Sequence, residues 1–445
     1  MNIHEQAPRA PTFSEAFRYW LRLGCISFGG PAGQIAIMHR ELVDERRWIS
    51  ERRFMHALNY CMLLPGPEAQ QLATYIGWLM QRTLGGVVAG ALFVLPSLIV
   101  LGALSWLYVV YGTMPAVAAA FNGVKPVVIA IVLHAAWRIG RRSMQHPLRW
   151  AIAVAAFVAL SAFHVPFPVI LAFAALAGIV GARVAPFAFG AAPTRAEATA
   201  SSQRALIDDD TPSPSHARFS RLRLALVLIV FLALWLAAYA LVASMGGRNG
   251  ELARMAEFFT KAALVTFGGA YAVLPYVQQA AVETHGWLSA AQMIDGLALG
   301  ETTPGPLIMV VAFVGFVGAW TKAVLGPDAL ALAGIAGASV ATFFTFLPSF
   351  LFILAGAPLV ESTRDDLAFT APLAGIGSAV VGVIVNLAVV LGLHVFVRDG
   401  DLDGFAIAIA LAATLALFRY QVGIIKLIAA GAIAGIGIAA IRGTL

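Results

Sequence analysis

The chain has 445 residues, 60% of them hydrophobic and 12% charged, and a formal net charge of +6. Soluble domains carry about a quarter charged residues, so this composition excludes a soluble enzyme or binding module and predicts an all-α polytopic membrane protein. The excess of Lys and Arg follows the loops instead of one soluble face, which argues against a nucleic-acid partner and for the positive-inside pattern of an inserted chain.

The first twelve residues, with Pro8, Arg9 and Pro11, lack the charged-then-apolar pattern of a cleaved signal, so insertion is expected to rely on the spans themselves. Strand-like alternation is missing, which excludes an outer-membrane barrel. Six hydrophobic segments are predicted near 14–36, 54–80, 84–110, 117–137, 149–163 and 168–186. A linker rich in Ser, Thr, Pro and charge follows, including Asp208, Asp209 and Asp210, and its composition predicts disorder. One further segment, 221–244, precedes a second set at 252–275, 291–320, 327–356, 371–397, 404–418 and 421–441. Cys25 and Cys61 lie in different segments with no metal-ligand spacing and are assigned no role.

The two sets are copies of one unit. Ser27-Phe28-Gly29-Gly30, Trp48, Ser50 and Pro65-Gly66-Pro67 return as Thr266-Phe267-Gly268-Gly269, Trp287, Ser289 and Pro304-Gly305-Pro306, and 266 − 27, 287 − 48 and 304 − 65 all equal 239. After one insertion, Leu95-Pro96-Ser97 pairs with Leu347-Pro348-Ser349 and Gly123 with Gly375, now 252 apart. The expected organisation is a first repeat (1–190), a disordered cytoplasmic linker (191–220), an extra transmembrane helix (221–250) and a second repeat (251–445).

One extra crossing between copies that each cross an even number of times turns the second copy upside down. The loop after the first Gly-Gly holds Arg40, Arg46, Arg47, Arg52 and Arg53, whereas its counterpart, Gln278 to Gln292, holds no Lys or Arg. The first loop is therefore expected in the cytoplasm and the second outside. The loop from Pro358 to Thr370 fits less well, since Asp365 and Asp366 outnumber Arg364. Pro65 and Pro67 cannot sit inside one helix. Phe54 to Leu64 and Glu68 to Met80 are thus predicted to be the two arms of a broken or re-entrant helix, with the same arrangement at Pro304-Gly305-Pro306. Two inverted-topology repeats with broken helices form the architecture of secondary transporters.

Phe28-Gly29-Gly30-Pro31 and Pro65-Gly66-Pro67-Glu68-Ala69-Gln70-Gln71 in the first copy, with Thr266-Phe267-Gly268-Gly269 and Glu301-Thr302-Thr303-Pro304-Gly305-Pro306 in the second, closely resemble the chromate ion transporter family in its long, two-domain form. The resemblance implies a multi-pass protein of the bacterial cytoplasmic (inner) membrane that exports chromate, driven by the proton motive force or membrane potential. Sulfate is the related oxyanion, and its uptake is the alternative function. A passive anion channel and a membrane-embedded enzyme are further alternatives, the last weakened by the absence of H-E-x-x-H, G-x-S-x-G and Cys/His metal patterns. The expected partners are chromate or sulfate and the lipid bilayer, with a homodimer also expected. No cofactor or metal is expected.

A tetrahedral dianion inside a membrane calls for backbone N–H groups at glycine turns and helix N-termini. Ser27, Gly29, Gly30, Pro65, Gly66, Pro67 and Gln70, with Thr266, Gly268, Gly269, Thr302, Thr303, Pro304, Gly305 and Pro306, are the candidate binding residues, set against a reading as structural kinks. Arg22 and Lys261 occupy equivalent positions five residues before each motif and are candidate substrate-binding cations, or else anchors reaching the interface. Glu68 and Glu301 are candidate proton-coupling groups, although Glu68 also suits a helix start. Asn59, Gln71, His134 and Asn386 are polar lining candidates, and Lys125 reads as a helix-end anchor. Gly86-x-x-x-Gly90 and Gly431-x-x-x-Gly435 predict close helix contacts.

The inverted arrangement has a direct test. Single cysteines placed at positions 46–53 should react with impermeant thiol reagents from the cytoplasmic side alone, and those at 284–290 from outside alone. Labelling of both loops from one side would reject it.

Overall fold

The computed structural model describes residues 8–28, 30–189, 204–211, 214–267, 269–362, 370–398 and 400–443. The first copy contains α1 (Phe13–Ile26), α2 (Gly30–His39), α3 (Glu51–Leu63), α4 (Glu68–Tyr111), α5 (Pro115–Ser143), α6 (Pro147–Ser161), α7 (Phe167–Val184) and the short α8 (Pro186–Phe189). After α9 (Arg221–Gly246) the second copy contains α10 (Glu251–Leu264), α11 (Ala270–Gln278), α12 (Ala290–Thr302), α13 (Val310–Thr321), α14 (Leu330–Ser362), α15 (Thr370–Phe396), α16 (Gly404–Tyr420) and α17 (Ile424–Arg442). A two-residue strand pair, Val397–Arg398 with Asp401–Leu402, joins α15 to α16. Among the described residues, seven helices are long and apolar enough to cross a membrane, and the molecule is an all-α polytopic membrane protein.

Local chemistry repeats with the sequence. The second helix of each set continues into a π-helical turn, Arg40–Glu45 and Gln279–Thr284. The Trp48 N–H then donates to Leu42 O (2.8 Å), as Trp287 N–H does to Ala281 O (2.7 Å). Ser50 caps α3 by accepting from Arg53 N, and Ser289 caps α12 by accepting from Gln292 N.

The proline breaks fall as expected. Between α3 and α4 the chain leaves helical geometry at Leu64–Pro67, and α4 itself kinks at Gln81 and Arg82, where Arg82 takes φ 62°. Residues 68–80 are therefore a return arm, and the long crossing begins after the kink. In the second copy α12 and α13 are the two arms. The segment predicted as one span at 14–36 is instead two helices, because the chain turns between Ile26 and Gly30. Gly30 (φ 69°) and Gly269 (φ 93°) occupy the left-handed region, which only glycine enters without strain. Each copy thus has two breaks.

The copies exchange partners. A Cβ on Gly123 of α5 would lie 2.1 Å from Gly431 O and 2.6 Å from Gly435 Cα of α17, and one on Gly375 of α15 would lie 2.1 Å from Ala174 O of α7. The fourth long segment of each copy thus packs on the last long helix of the other. The Gly-x-x-x-Gly pattern of α17 makes the close approach its spacing predicts.

The linker departs from its expected disorder where it is described. Leu206 N–H donates to Arg47 O (2.9 Å) and Ile207 N–H to Trp48 O (3.1 Å), while Ser50 N–H donates to Ile207 O (3.0 Å). Ser50 Oγ donates to Asp209 (2.6 Å) and Arg53 to Thr211 O (2.8 Å). The physical reason is local: an Asp-rich strip carrying two apolar residues meets an Arg-rich loop. Residues 191–203, 212 and 213, and 363–369 with Arg364, Asp365 and Asp366, lie outside the described residues.

Filling the α5–α17 contact should destabilise the fold. Gly123→Leu is expected to cost about 1–3 kcal/mol from overpacking, whereas Gly437→Leu on α17, whose Cβ would meet nothing within 4 Å, should be silent. Thermal unfolding of the detergent-solubilised protein measures both.

Candidate functional site

The four breaks meet. Gly66 N–H donates to Thr266 O (2.7 Å) and Gly305 N–H donates to Ser27 O (2.8 Å), so the Pro-Gly-Pro of each copy is bonded to the glycine turn of the other. Side chains repeat the exchange: a Cβ on Gly66 would lie 2.5 Å from Ser349 Oγ, and one on Gly305 would lie 2.7 Å from Ser97 Cβ. Gly66 (φ 125°) and Gly305 (φ 105°) must be glycine both for space and for backbone.

Polar side chains fill the crossing without being saturated. Ser27, Gln34, Gln70, Gln71, Thr266 and Ser349 are buried. The Gln34 amide donates to Ser27 O and Gly305 O, Gln71 to Pro65 O (2.8 Å) and Gln70 to Thr74 Oγ1 (3.0 Å). Among the described residues no partner is found for Oε1 of Gln34, Gln70 or Gln71, nor for Oγ of Ser97 or Ser349. Buried polar groups are rarely left so, and a cluster of them marks a place where a polar guest or water completes the bonding.

The hydroxyl donors point elsewhere. Ser27 and Thr266 donate to Leu23 O and Ala262 O (both 2.6 Å), and Thr302 and Thr303 donate to Leu299 O and Gly300 O. The Gly66 and Gly305 N–H groups, expected as anion donors, hold carbonyls of the opposite copy. The helix starts lack side-chain caps. Pro67 and Gly269 stand at the N-caps of α4 and α11 and have no side chain with which to satisfy the first N–H groups. Pro65, Pro304 and Pro306 shape the turns; Gly29 and Gly268 lie outside the described residues.

Both candidate coupling carboxylates converge on the first turn of α11. Tyr271 OH donates to Glu301 Oε1. Glu68 Oε1 lies 3.8 Å from where a Cβ on Gly269 would stand. Arg138 of α5 is half-buried and acts electrostatically on Glu301.

Arg22 and Lys261 are not brought into the crossing. Their side chains are 62% and 68% exposed and face carboxylates, Glu41 and Glu257, each at 3.9 Å. Counting residues gave their depth along the helix but not the face they occupy. Asn59 is exposed and Asn386 buried, and His134 packs on the rings of Trp137 and Phe418. Lys125 is not a free anchor: its Nζ lies 3.7 Å from Asp295 Oδ2. Asp295 also accepts from Tyr108 OH (2.9 Å). A second buried ion pair joins Arg53 to Glu361 (3.9 Å), where Tyr75 OH donates to Glu361 (2.6 Å). Sequence reasoning missed Asp295 and Glu361, although each is a carboxylate in an apolar stretch, which is signal enough. No group of three or more His, Cys, Asp or Glu that could hold a metal gathers among the described residues.

Comparison with known proteins agrees with this architecture. The chain is 32% identical to the chromate transport protein of Pseudomonas aeruginosa over 439 residues, covering 97% of this chain and 94% of that protein. It is 30% identical to the chromate transport protein of Cupriavidus metallidurans, with 92% and 90% covered. It is 29% identical to a probable chromate transport protein of Synechococcus elongatus, with 86% and 85% covered. No solved structure gives a significant match. The profile of the chromate transporter family matches residues 14–179 and 253–436, one stretch in each copy, and the chain belongs to that family.

Proposed function

We propose that the protein is a secondary transporter that exports chromate across the bacterial cytoplasmic membrane by alternating access, with its two copies inverted about the crossing. The observation that carries this reading is the reciprocal bonding of the four breaks around buried polar atoms that lack partners among the described residues. Unwound backbone at the meeting of two repeats, next to helix N-termini, suits a small anion. The substrate named for the relatives supports chromate as that anion, and sulfate shares its shape and charge.

In this mechanism the first turns of α4 and α11 supply N–H donors and a partial positive charge to the dianion. Arg22 and Lys261, exposed beside each turn, draw the anion in without contacting it. Glu68 and Glu301 border the same helix start, so their ionised forms repel the oxyanion and their protonated forms admit it. Oxyanion and proton then stabilise each other's binding. Charge sets the direction: a dianion leaving a negative interior gains about 4.6 kcal/mol per 100 mV, at about 2.3 kcal/mol per elementary charge. Efflux runs downhill electrically. Uptake would require at least two co-transported protons merely to cancel the charge.

The test is flux of labelled chromate in inverted vesicles, with a potential imposed at equal pH and then a pH gradient at zero potential. Wild-type flux should follow the potential. Glu68→Gln or Glu301→Gln, which mimic the protonated state, should remove the response to the pH gradient while potential-driven movement persists. A wild-type flux indifferent to potential would overturn electrogenic export. An unchanged pH response in both variants would remove these carboxylates from coupling, and sulfate flux exceeding chromate flux would reassign the substrate.

A further inference from the structure

The Lys125–Asp295 pair is the feature of the molecule least explained by its fold. Lys125 lies in α5 of the first copy and Asp295 in α12 of the second, the arm that ends at Glu301-Thr302-Thr303. The lysine side chain is 19% exposed and the aspartate 5%. An ion pair so placed must be desolvated on both sides, and its assembly does little for stability. The duplicated architecture does without it. The position equivalent to Lys125 is Gly377 (125 + 252), and that equivalent to Asp295 is His56 (295 − 239).

The pair is also loosely made. At 3.7 Å the contact is Coulombic and not a hydrogen bond. Lys125 otherwise donates to Asn122 Oδ1 at 3.3 Å, and among the described residues Asp295 Oδ1 has no partner at all. The other buried pair differs here, because Arg53 is also bonded to Thr211 O and so fastens the linker to the first copy. An ammonium group is a compact point charge with three rotatable donors, suited to an anion of any orientation.

Resting on the transport reading above, we infer that Lys125 is a binding residue for the oxyanion and that Asp295 is the resting counter-ion which the oxyanion replaces. A dianion carries twice the charge of the carboxylate, so it competes for the ammonium although the carboxylate is tethered beside it. Lys125 is the more exposed of the two, so an arriving anion meets the cation first. Asp295 keeps the hydrogen bond from Tyr108 when its cation is taken. Displacement therefore leaves it paired, and its return to Lys125 helps to expel the anion. From Asp295 the α12 arm rises about 1.5 Å per residue over the seven residues to its end at Thr302 (302 − 295), so this station stands roughly 10 Å along the helix from the turn that enters the crossing.

Concentration-dependent flux of labelled chromate in inverted vesicles tests the assignment. Lys125→Gln should raise KM by about tenfold or more, the value of one hydrogen bond to a charged group. Asp295→Asn should lower KM severalfold and slow turnover, since Lys125 loses its competitor and release loses its push. The double variant Lys125→Gln/Asp295→Asn carries no lone buried charge and so remains measurable where a single variant fails to insert; it should keep the raised KM. If the double variant instead restores wild-type KM, or if Asp295→Asn leaves KM unchanged, the pair is structural and the inference is overturned. Wild-type vesicles that move neither chromate nor sulfate overturn the transport reading itself, and this assignment with it.

Discussion

In hydrocarbon a backbone group that leaves its helix has no water to turn to, and this constraint shapes the centre of the molecule. Each copy interrupts its helices twice, at a glycine turn and at Pro-Gly-Pro, and each interruption frees polar backbone. The bonds from Gly66 to Thr266 and from Gly305 to Ser27 settle part of that demand by pairing the break of one copy with the break of the other. The kinked α4, the arms α12 and α13, and the glycine-lined contact of α5 with α17 all serve to bring these four turns to one place.

The backbone of the crossing obeys the duplication, whereas its charges do not. Turns, π-helical segments, caps and glycines recur at the same offsets. The carboxylates do not: Glu68 follows one Pro-Gly-Pro and Glu301 precedes the other, and both end beside α11. A binding site made of backbone can be symmetric and still work from two sides. The proposed coupling to protons would need only one set of titrating groups, so unequal charge on an equal frame is compatible with it.

Much of this was legible in the sequence. Duplication at constant offset located the breaks, and the prohibition on proline within a helix fixed the arms to within a few residues. The turn at Ser27 was missed as a helix break although Gly30-Pro31 marks it, because Phe28-Gly29-Gly30 is apolar enough to pass for the middle of a span. For Arg22 and Lys261 the sequence left binding cation and interface anchor both open, because depth along a helix is readable by counting, while the face a residue occupies depends on neighbours far away in sequence. Lys125 illustrates the same limit, since its partner lies 170 residues on (295 − 125) and in the other copy. The linker was judged by average composition, which hides a pair such as Leu206-Ile207 able to dock on a particular loop.

The exchange of partners also orders the making of the protein. When the first copy has left the ribosome, Ser27 and Gly66 still lack the groups that will meet them, and α5 waits for a helix that begins at Ile424. Insertion of the early helices and completion of their packing are therefore separated by most of translation, and contacts so distant in sequence form slowly. A half-length chain carrying one such copy would emerge with the same unanswered donors and acceptors. It could finish its fold only by finding a second chain already in the membrane.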